Sequence, residues 1–362
     1  MFSLICQRLL IHYHNLVINS LVRCGVCGPL LNWFINYLSD RWQKVVIEGV
    51  SSVKLLVSSG VPQGSILGPL LFILSVDTLL SQSFSIGTSI NMFADDIALY
   101  KAIDSLDDVN TLQNDVLLVE KWAEKRKLRI NSKKTKTLVI SRKKTPPSVC
   151  LSLGGNEIEQ VSSYKYLGVT ICSDLRWNLH TTLICKKAKR TLGFLYRCFG
   201  KGTADPKALS KLYKSLVLPI LNYCSCVWDP QYKENIIKLE RVQSFAARLT
   251  TGKWDEEAST LKTELGWSPL SQHRVFNKLC VCRRILIGDS LIPSSSFTSH
   301  QSPTKYRNLN SMALRQPRFH TNYHQHSYFV SVIPLWNLIP EEIISLRNQP
   351  TFKKHLKKFL AV

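Results

Sequence analysis

Met92-Phe93-Ala94-Asp95-Asp96-Ile97-Ala98-Leu99 is the stretch on which the reading turns: two adjacent carboxylates between two short apolar runs. The flanks predict strands over 91–94 and 97–100, which puts Asp95 and Asp96 together at the tip of a hairpin. Like charges held side by side against apolar neighbours repel, and a cation relieves them. Mg²⁺ is the natural one, because it takes oxygen ligands, commonly one or two carboxylates plus substrate phosphates. An ordinary solvated turn uses the same two residues, so the pair gains meaning from its surroundings.

Upstream, Gly60-Val61-Pro62-Gln63-Gly64-Ser65 is a glycine-bounded turn predicted to open a helix from near Ser65 to about Leu80. Gly60 and Gly64 permit close backbone approach, Gln63 offers an amide, and a helix start favours phosphate. A tight strand-to-helix connection is the plainer reading. The helix is apolar nearly all round, which predicts burial. Nearer the start, a helical stretch to residue 40 is broken at Gly25, Gly28 and Pro29, and strands over 43–47 and 53–58 meet at Glu48-Gly49.

Downstream, an amphipathic helix over about 106–127, started by Asp104 or Ser105, repeats apolar residues at Leu106, Val109, Leu112, Val116 and Val119. Strands over 137–141 and 164–171 follow, punctuated by Pro146-Pro147 and Gly154-Gly155. Beyond 175 the pattern is helical: 183–199, a helix with Asp205 as cap and Pro206 in its first turn running to about Val227, 234–249 closed by Gly252, and 271–287. Residues 288–325 read as polar loop or partly disordered chain. The fold class is α+β.

Among 362 residues, 47 Lys and Arg face 25 Asp and Glu, a formal charge of +22. Residues 121–144 hold eleven basic residues against Glu124 alone, and 186–214 hold nine against Asp205 alone, so 53 residues carry +18 of the total. Such clusters are the footprint of phosphate-backbone binding, and Trp122, Phe194, Tyr196 and Tyr213 lie nearby for stacking. Solvated helix faces are the bland alternative, weakened by the lack of interleaved acids.

No apolar run reaches the roughly 18 residues of a membrane span. The eleven scattered cysteines suggest reduced thiols in an intracellular protein. Cys24-x-x-Cys27 after His12 and His14 has no second pair at zinc spacing, so the cysteines are expected to be small buried side chains. His320, His324 and His326 read as exposed loop histidines.

Taken in order, the segment from Gly60 to Phe72, then Phe93-Ala94-Asp95-Asp96, Asn131-Ser132-Lys133-Lys134-Thr135 and Tyr166-Leu167-Gly168-Val169 resemble the successive palm motifs of reverse transcriptases of non-LTR (LINE-type) retrotransposons. The likeness extends to 223–230, similar to the family's thumb, and to Pro334-Leu335-Trp336-Asn337. It implies a partial right-hand polymerase palm over 1–175, an α-helical thumb over 176–255 and a C-terminal helical and loop region over 256–362. By the same resemblance, Asp95 would bind Mg²⁺ or Mn²⁺ with Asp96 as its supporting carboxylate. Gly60, Pro62, Gln63, Gly64 and Ser65 would contact the template base and the incoming dNTP. Lys134 would lie near the triphosphate as proton donor to the leaving pyrophosphate, and Tyr166, Leu167 and Gly168 would form the hairpin that grips the primer end. Lys186, Lys187, Lys189 and Arg190 would track an RNA template and DNA primer, or an RNA/DNA hybrid, by shape and charge. The implied location is nucleus or cytoplasm, without a membrane.

The family pattern has a further metal-binding segment upstream of the glycine turn, Asp-x-x-x-Ala-Phe-Asp followed by a His. His14-Asn15-Leu16-Val17-Ile18 resembles its end, which puts Leu4 and Leu10 at the acid positions and Leu9 at the sugar-sensing aromatic; no Asp or Glu precedes Asp40. The chain therefore reads as the back half of a polymerase, truncated at its N-terminus and without fingers. The expectation is an RNA-directed DNA polymerase of the two-metal kind whose nucleotidyl transfer is impaired. The alternatives are a non-catalytic RNA- or DNA-binding remnant, and a poorly folding chain whose palm sheet lacks a strand.

Overall fold

The computed structural model describes residues 14–57, 60–128, 130–143, 148–199, 205–299 and 310–362. The chain divides into two compact units, Met1–Arg176 and Trp177–Val362. Among the described residues no helix is long and apolar enough to cross a membrane.

In the first unit α1 (His14–Arg23) and α2 (Gly28–Leu38) are separated at Gly25, whose φ of 84° ends the first helix. A ribbon of β1 (Trp42–Gln43), β2 (Val46–Ile47), β3 (Val50–Ser51) and β4 (Leu55–Leu56) closes at Glu48-Gly49, where both φ angles are positive. That tight turn pairs Ile47 with Val50, so the return strand begins before the expected residue 53.

Helix α3 (Gly68–Val76), extended by a 3₁₀ turn over Asp77–Leu79, starts three residues later than expected. Ser65 first closes a turn of its own: its hydroxyl donates to the Pro62 carbonyl at 2.7 Å and accepts from the Gly68 N–H at 3.0 Å. Nor is this helix buried all round. Leu71 and Val76 enter the core, while Leu70 and Ile73 are each about half exposed.

The hairpin of β5 (Thr88–Phe93) and β6 (Asp96–Lys101) is in register at Phe93 and Asp96, leaving Ala94-Asp95 as its turn. Helix α4 (Leu106–Lys125) begins at a capping box in which Ser105 and Asp108 satisfy each other's backbone N–H. Leu112, Val116 and Val119 are buried, but Leu106 is 75% exposed, since the first turn projects past the core. Helix α4 lies between two apolar clusters, one with Val17, Leu21, Phe34, Leu71, Ile97 and Trp122, the other with Leu99, Val139, Leu151 and Leu153. Each such side chain contributes roughly 1.5–3 kcal/mol on burial.

Short strands complete this unit: β7 (Thr137–Leu138), β8 (Ser152–Leu153), β9 (Asn156–Glu157), β10 (Gln160–Val161), β11 (Ser163–Tyr166) and β12 (Val169–Cys172). The single strand that the pattern predicts over 164–171 is a hairpin, as the resemblance at Tyr166-Leu167-Gly168 implies. Leu167 and Gly168 take φ of 45° and 86°, turning β11 back onto β12. Among the described residues every sheet has two strands.

The second unit is helical. Helix α5 (Asn178–Phe199) packs on the later helix Lys233–Thr251, and α6 (Pro206–Leu212) is capped by Asp205, whose carboxylate accepts from the Lys207 N–H at 3.1 Å. A π turn over Tyr213–Val217 leads into α7 (Leu218–Asn222), where Pro219 offers no N–H to an α-helical ladder. Then come α8 (Ser225–Trp228), α9 (Lys233–Thr251) ended by left-handed Gly252, α10 (Ala258–Glu264) and α11 (Leu270–Leu286). The end of the chain forms α12 (Asn322–Gln325), α13 (Tyr328–Asn337), α14 (Glu341–Ile344) and α15 (Gln349–Leu360).

Two expectations change here. The described part of 288–325 is more than loop: Phe297 and Leu314 enter a core with Leu279, Ile285, Ile333, Trp336 and Phe352. Asn337 pins it by hydrogen bonds to the backbone N–H and carbonyl of Leu314, each at 2.9 Å. The cysteines are not uniformly buried either, for Cys185, Cys280 and Cys282 are inside while Cys24, Cys27, Cys150 and Cys198 are exposed.

Candidate active site

A cleft of about 920 Å³ in the first unit gathers residues from three distant segments: Val61 to Gly64 with Gly68, Pro69, Phe72 and Ile73; Ala94 and Asp95; and Ile130 to Lys134. The β5–β6 turn delivers Asp95. Both Asp95 and Asp96 are half-buried, and Asp96, already in β6, is not part of the cleft lining.

Pro62, Gln63 and Gly64 face the cleft, whereas Gly60 and Ser65 do not line it. Gly64 has φ of 79° and, among the described residues, no atom within 4 Å of an added Cβ, which leaves its backbone open there to a ligand. Ser65 is committed to holding the turn. At Gly68 a Cβ would stand 2.4 Å from the Pro62 carbonyl oxygen, so α3 reaches the turn this closely only with glycine there. The Gly60 backbone is hydrogen-bonded by His14, whose pKa is lowered by burial and by the nearby Arg41 charge.

Asn131 builds the third wall. Its side-chain oxygen accepts from the Lys134 N–H at 3.1 Å, and its carbonyl accepts from the Thr135 N–H at 3.0 Å. Lys133 and Lys134 are thereby presented to the cleft, both exposed. Lys133 was not singled out from sequence, although it adjoins Lys134 in the same motif.

Residues 13–171 match the family described as reverse transcriptase (RNA-dependent DNA polymerase). The chain carries a reverse transcriptase domain. It is 28% identical over 246 residues to the probable RNA-directed DNA polymerase from transposon X-element of Drosophila melanogaster, covering 66% of this chain and 27% of that protein. It is 29% identical over 227 residues to the RNA-directed DNA polymerase from mobile element jockey of the same organism, covering 60% and 24%. Against the retrovirus-related Pol polyprotein from type-1 retrotransposable element R1 2 of Nasonia vitripennis it is 27% identical over 176 residues, 47% of this chain and 43% of that protein. The chain spans about a quarter of the length of the first two relatives. These relatives are named for a transposon, a mobile element and a retrotransposable element.

The domain's donor atoms suit one divalent cation. Asp95 with Asp96 beside it is the usual carboxylate complement of a Mg²⁺ that completes its shell with phosphate oxygens and water. Among the described residues no three His, Cys, Asp or Glu gather into a metal site, so a two-cation arrangement lacks its further carboxylate there. Positions 4, 9 and 10, aligned with the family's missing residues, lie outside the described residues.

Within the same domain Tyr166 and Leu167 are half-buried and Gly168 is exposed at the β11–β12 turn, and none of the three lines the cleft. In the second unit Lys186, Lys187, Lys189 and Arg190 are exposed on α5 above buried Cys185, Ala188 and Leu192. Two of the four aromatics expected to stack on bases are sealed inside. Trp122 donates its indole N–H to Thr78 at 3.0 Å, and Tyr213 stacks on Trp267 with ring centroids 4.0 Å apart. Phe194 remains 54% exposed. His320, His324 and His326 are exposed, the second in α12 and not in loop.

Proposed function

We propose that this chain is the palm and thumb part of an RNA-directed DNA polymerase of a retrotransposon, one that grips template and primer but transfers nucleotides weakly. The observation that carries the reading is the cleft itself, which unites Gln63, Asp95 and Lys134, 32 and 39 residues apart along the chain. In this reading residues 1–175 are palm, 176–255 thumb, and 256–362 a C-terminal helical region.

Gln63 and the open backbone at Gly64 receive the base pair between template and incoming dNTP, with Gly60, Pro62 and Ser65 shaping that turn. Asp95, supported by Asp96, would hold Mg²⁺ or Mn²⁺, which when bound neutralises triphosphate charge and activates the primer hydroxyl. Lys134 gives a proton to the departing pyrophosphate, and Lys133 beside it adds positive charge that favours the triphosphate in the cleft. The Tyr166-Leu167-Gly168 turn steadies the primer end, and the α5 lysines follow the duplex backbone.

Impairment follows from the donor count, since a missing carboxylate removes several kcal/mol of stabilisation and each ~1.36 kcal/mol is tenfold in rate. The test is primer extension on an RNA template with Mg²⁺ and with Mn²⁺, comparing the chain with its Asp95→Asn, Asp96→Asn double variant. The expected result is retention of template and primer by both, with trace extension by the unaltered chain only. Robust extension abolished by the double variant would overturn the impairment. A non-catalytic binding remnant is the second reading, favoured by the absence of a third ligand among the described residues; it is selected if neither protein extends and both bind.

A further inference from the structure

The second unit holds a cavity of about 860 Å³ between α8, α11 and α15 that the sequence does not announce. Its rim carries Arg284, Lys353, Lys354 and Lys357, and among the described residues no Asp or Glu lines it. Arg284 has one acidic partner, Asp289 at 3.2 Å, and Lys357 lies 5.5 Å from the centre of the Phe276 ring. Helix α15 makes this rim by its periodicity: Phe352 and Leu356 enter the core, and Lys353, Lys354 and Lys357 are left exposed. From Ser345 to the end there are five Lys or Arg and no acid to neutralise them.

The recess has a second, independent feature. The side-chain oxygen of Asn222 is buried there without a hydrogen-bond partner. Asn277 beside it is occupied, donating to the Ser225 hydroxyl at 2.9 Å. A buried acceptor left unmade costs about 1–3 kcal/mol, which an entering N–H or O–H recovers. The cation field also reaches the cavity wall, where the charges of Lys353 and Lys357 partly offset the burial that pushes the Cys280 thiol up to about 11.

We propose that this cavity is a second nucleic-acid site, which takes an unpaired nucleotide of an RNA strand, its phosphates on Lys353, Lys354, Lys357 and Arg284 and its base amine or ribose hydroxyl on Asn222. Cations without acids select a polyanion, and a buried acceptor selects a strand whose bases are free to turn inward, which duplex bases are not. The inference deepens the proposed function, resting on its nucleic-acid partner and on none of the residues of the Asp95 cleft.

The test uses the whole chain and fluorescence anisotropy with single-stranded RNA, and with a duplex of equal length, over a salt series. The Lys353→Ala, Lys354→Ala, Lys357→Ala variant should bind single strands at least tenfold more weakly, with a log–log salt slope about 2 shallower, at roughly 0.7 per phosphate contact. Asn222→Ala should weaken single strands and leave the duplex unchanged. Alkylation of Cys224 and Cys226 by iodoacetamide, read by mass spectrometry, should slow when single-stranded RNA is bound.

If the triple variant binds single strands like the parent with the same slope, this site is wrong while the proposed function stands. If the parent binds no nucleic acid, both are wrong. Full displacement of RNA by micromolar pyrophosphate or AMP would mark a small-anion pocket and also overturn the proposal.

Discussion

Ribbon β1–β4 of the first unit leaves Trp42, Val46, Ile47, Val50 and Leu55 more than half exposed, whereas Trp228, Trp336 and Phe352 of the second unit show no surface at all. The second unit also buries charge. Asp229 receives Arg274 at 2.6 Å and Lys278 at 2.7 Å, both cations almost wholly inside. The 223–230 segment that resembles a thumb motif is thus a packing device: Trp228 donates to the Tyr223 carbonyl at 2.7 Å and Asp229 anchors α11. In the first unit the corresponding conspicuous residues, Gln63, Asp95 and Lys134, surround open space. Substitutions should therefore act on stability in the second unit and on ligands in the first.

The largest effect should come from Asp229→Ala, which strands two buried cations and is expected to cost about 3–5 kcal/mol, read as a lower urea midpoint. A loss below 1 kcal/mol would mean the triad is solvated and the contrast between the units weaker than described. Next, Gly68→Ala presses a methyl group onto the Pro62 carbonyl; we expect about 1–3 kcal/mol and a displaced glycine turn, seen as weaker template–primer binding. Ser105→Ala removes half of the α4 capping box and should cost about 1 kcal/mol, with the amides of the first turn exchanging faster. Ile47→Thr on the open ribbon should stay within about 0.5 kcal/mol of the parent; a larger loss would show that this face is covered in solution.

The smallest effect is on pH dependence, and it compares the units directly. His14 in the first unit and His273 in the second both have pKa values lowered, by burial first and then by Arg41 and Lys357 respectively. The folded state favours the neutral imidazoles, so their contribution is complete above the unfolded value near 6.5 and is lost as the pH falls below it. Acidification from 7.5 to 5.5 should lower the urea midpoint, and His14→Gln with His273→Gln should flatten that decline.

Features set by neighbours within a few residues were legible. Ser105 and Asp205 cap their helices, Gly252 stops α9, and Glu48-Gly49 turns the ribbon, because each depends on hydrogen bonds only a few residues away. The Leu167-Gly168 turn was legible only through the resemblance, which implies a hairpin there; the strand pattern hides it, since leucine seldom takes positive φ and aromatic and β-branched residues flank the turn on both sides. Composition does not say which side of the apolar α3 finds a partner, and an aromatic near lysines is as easily core, as Trp122 and Tyr213 are, as a stacking platform.

The α+β class, the excess of cations and the ordered motifs similar to those of reverse transcriptases can be read along the chain, since these reside in composition, period and local spacing. That Gln63, Asp95, Lys133 and Lys134 share one cleft, and Asn222, Arg284 and the α15 lysines another, comes from long-range packing. Residues this far apart along the chain meet through the packing of whole helices and hairpins, a contest of many small burial energies that no short window of sequence contains.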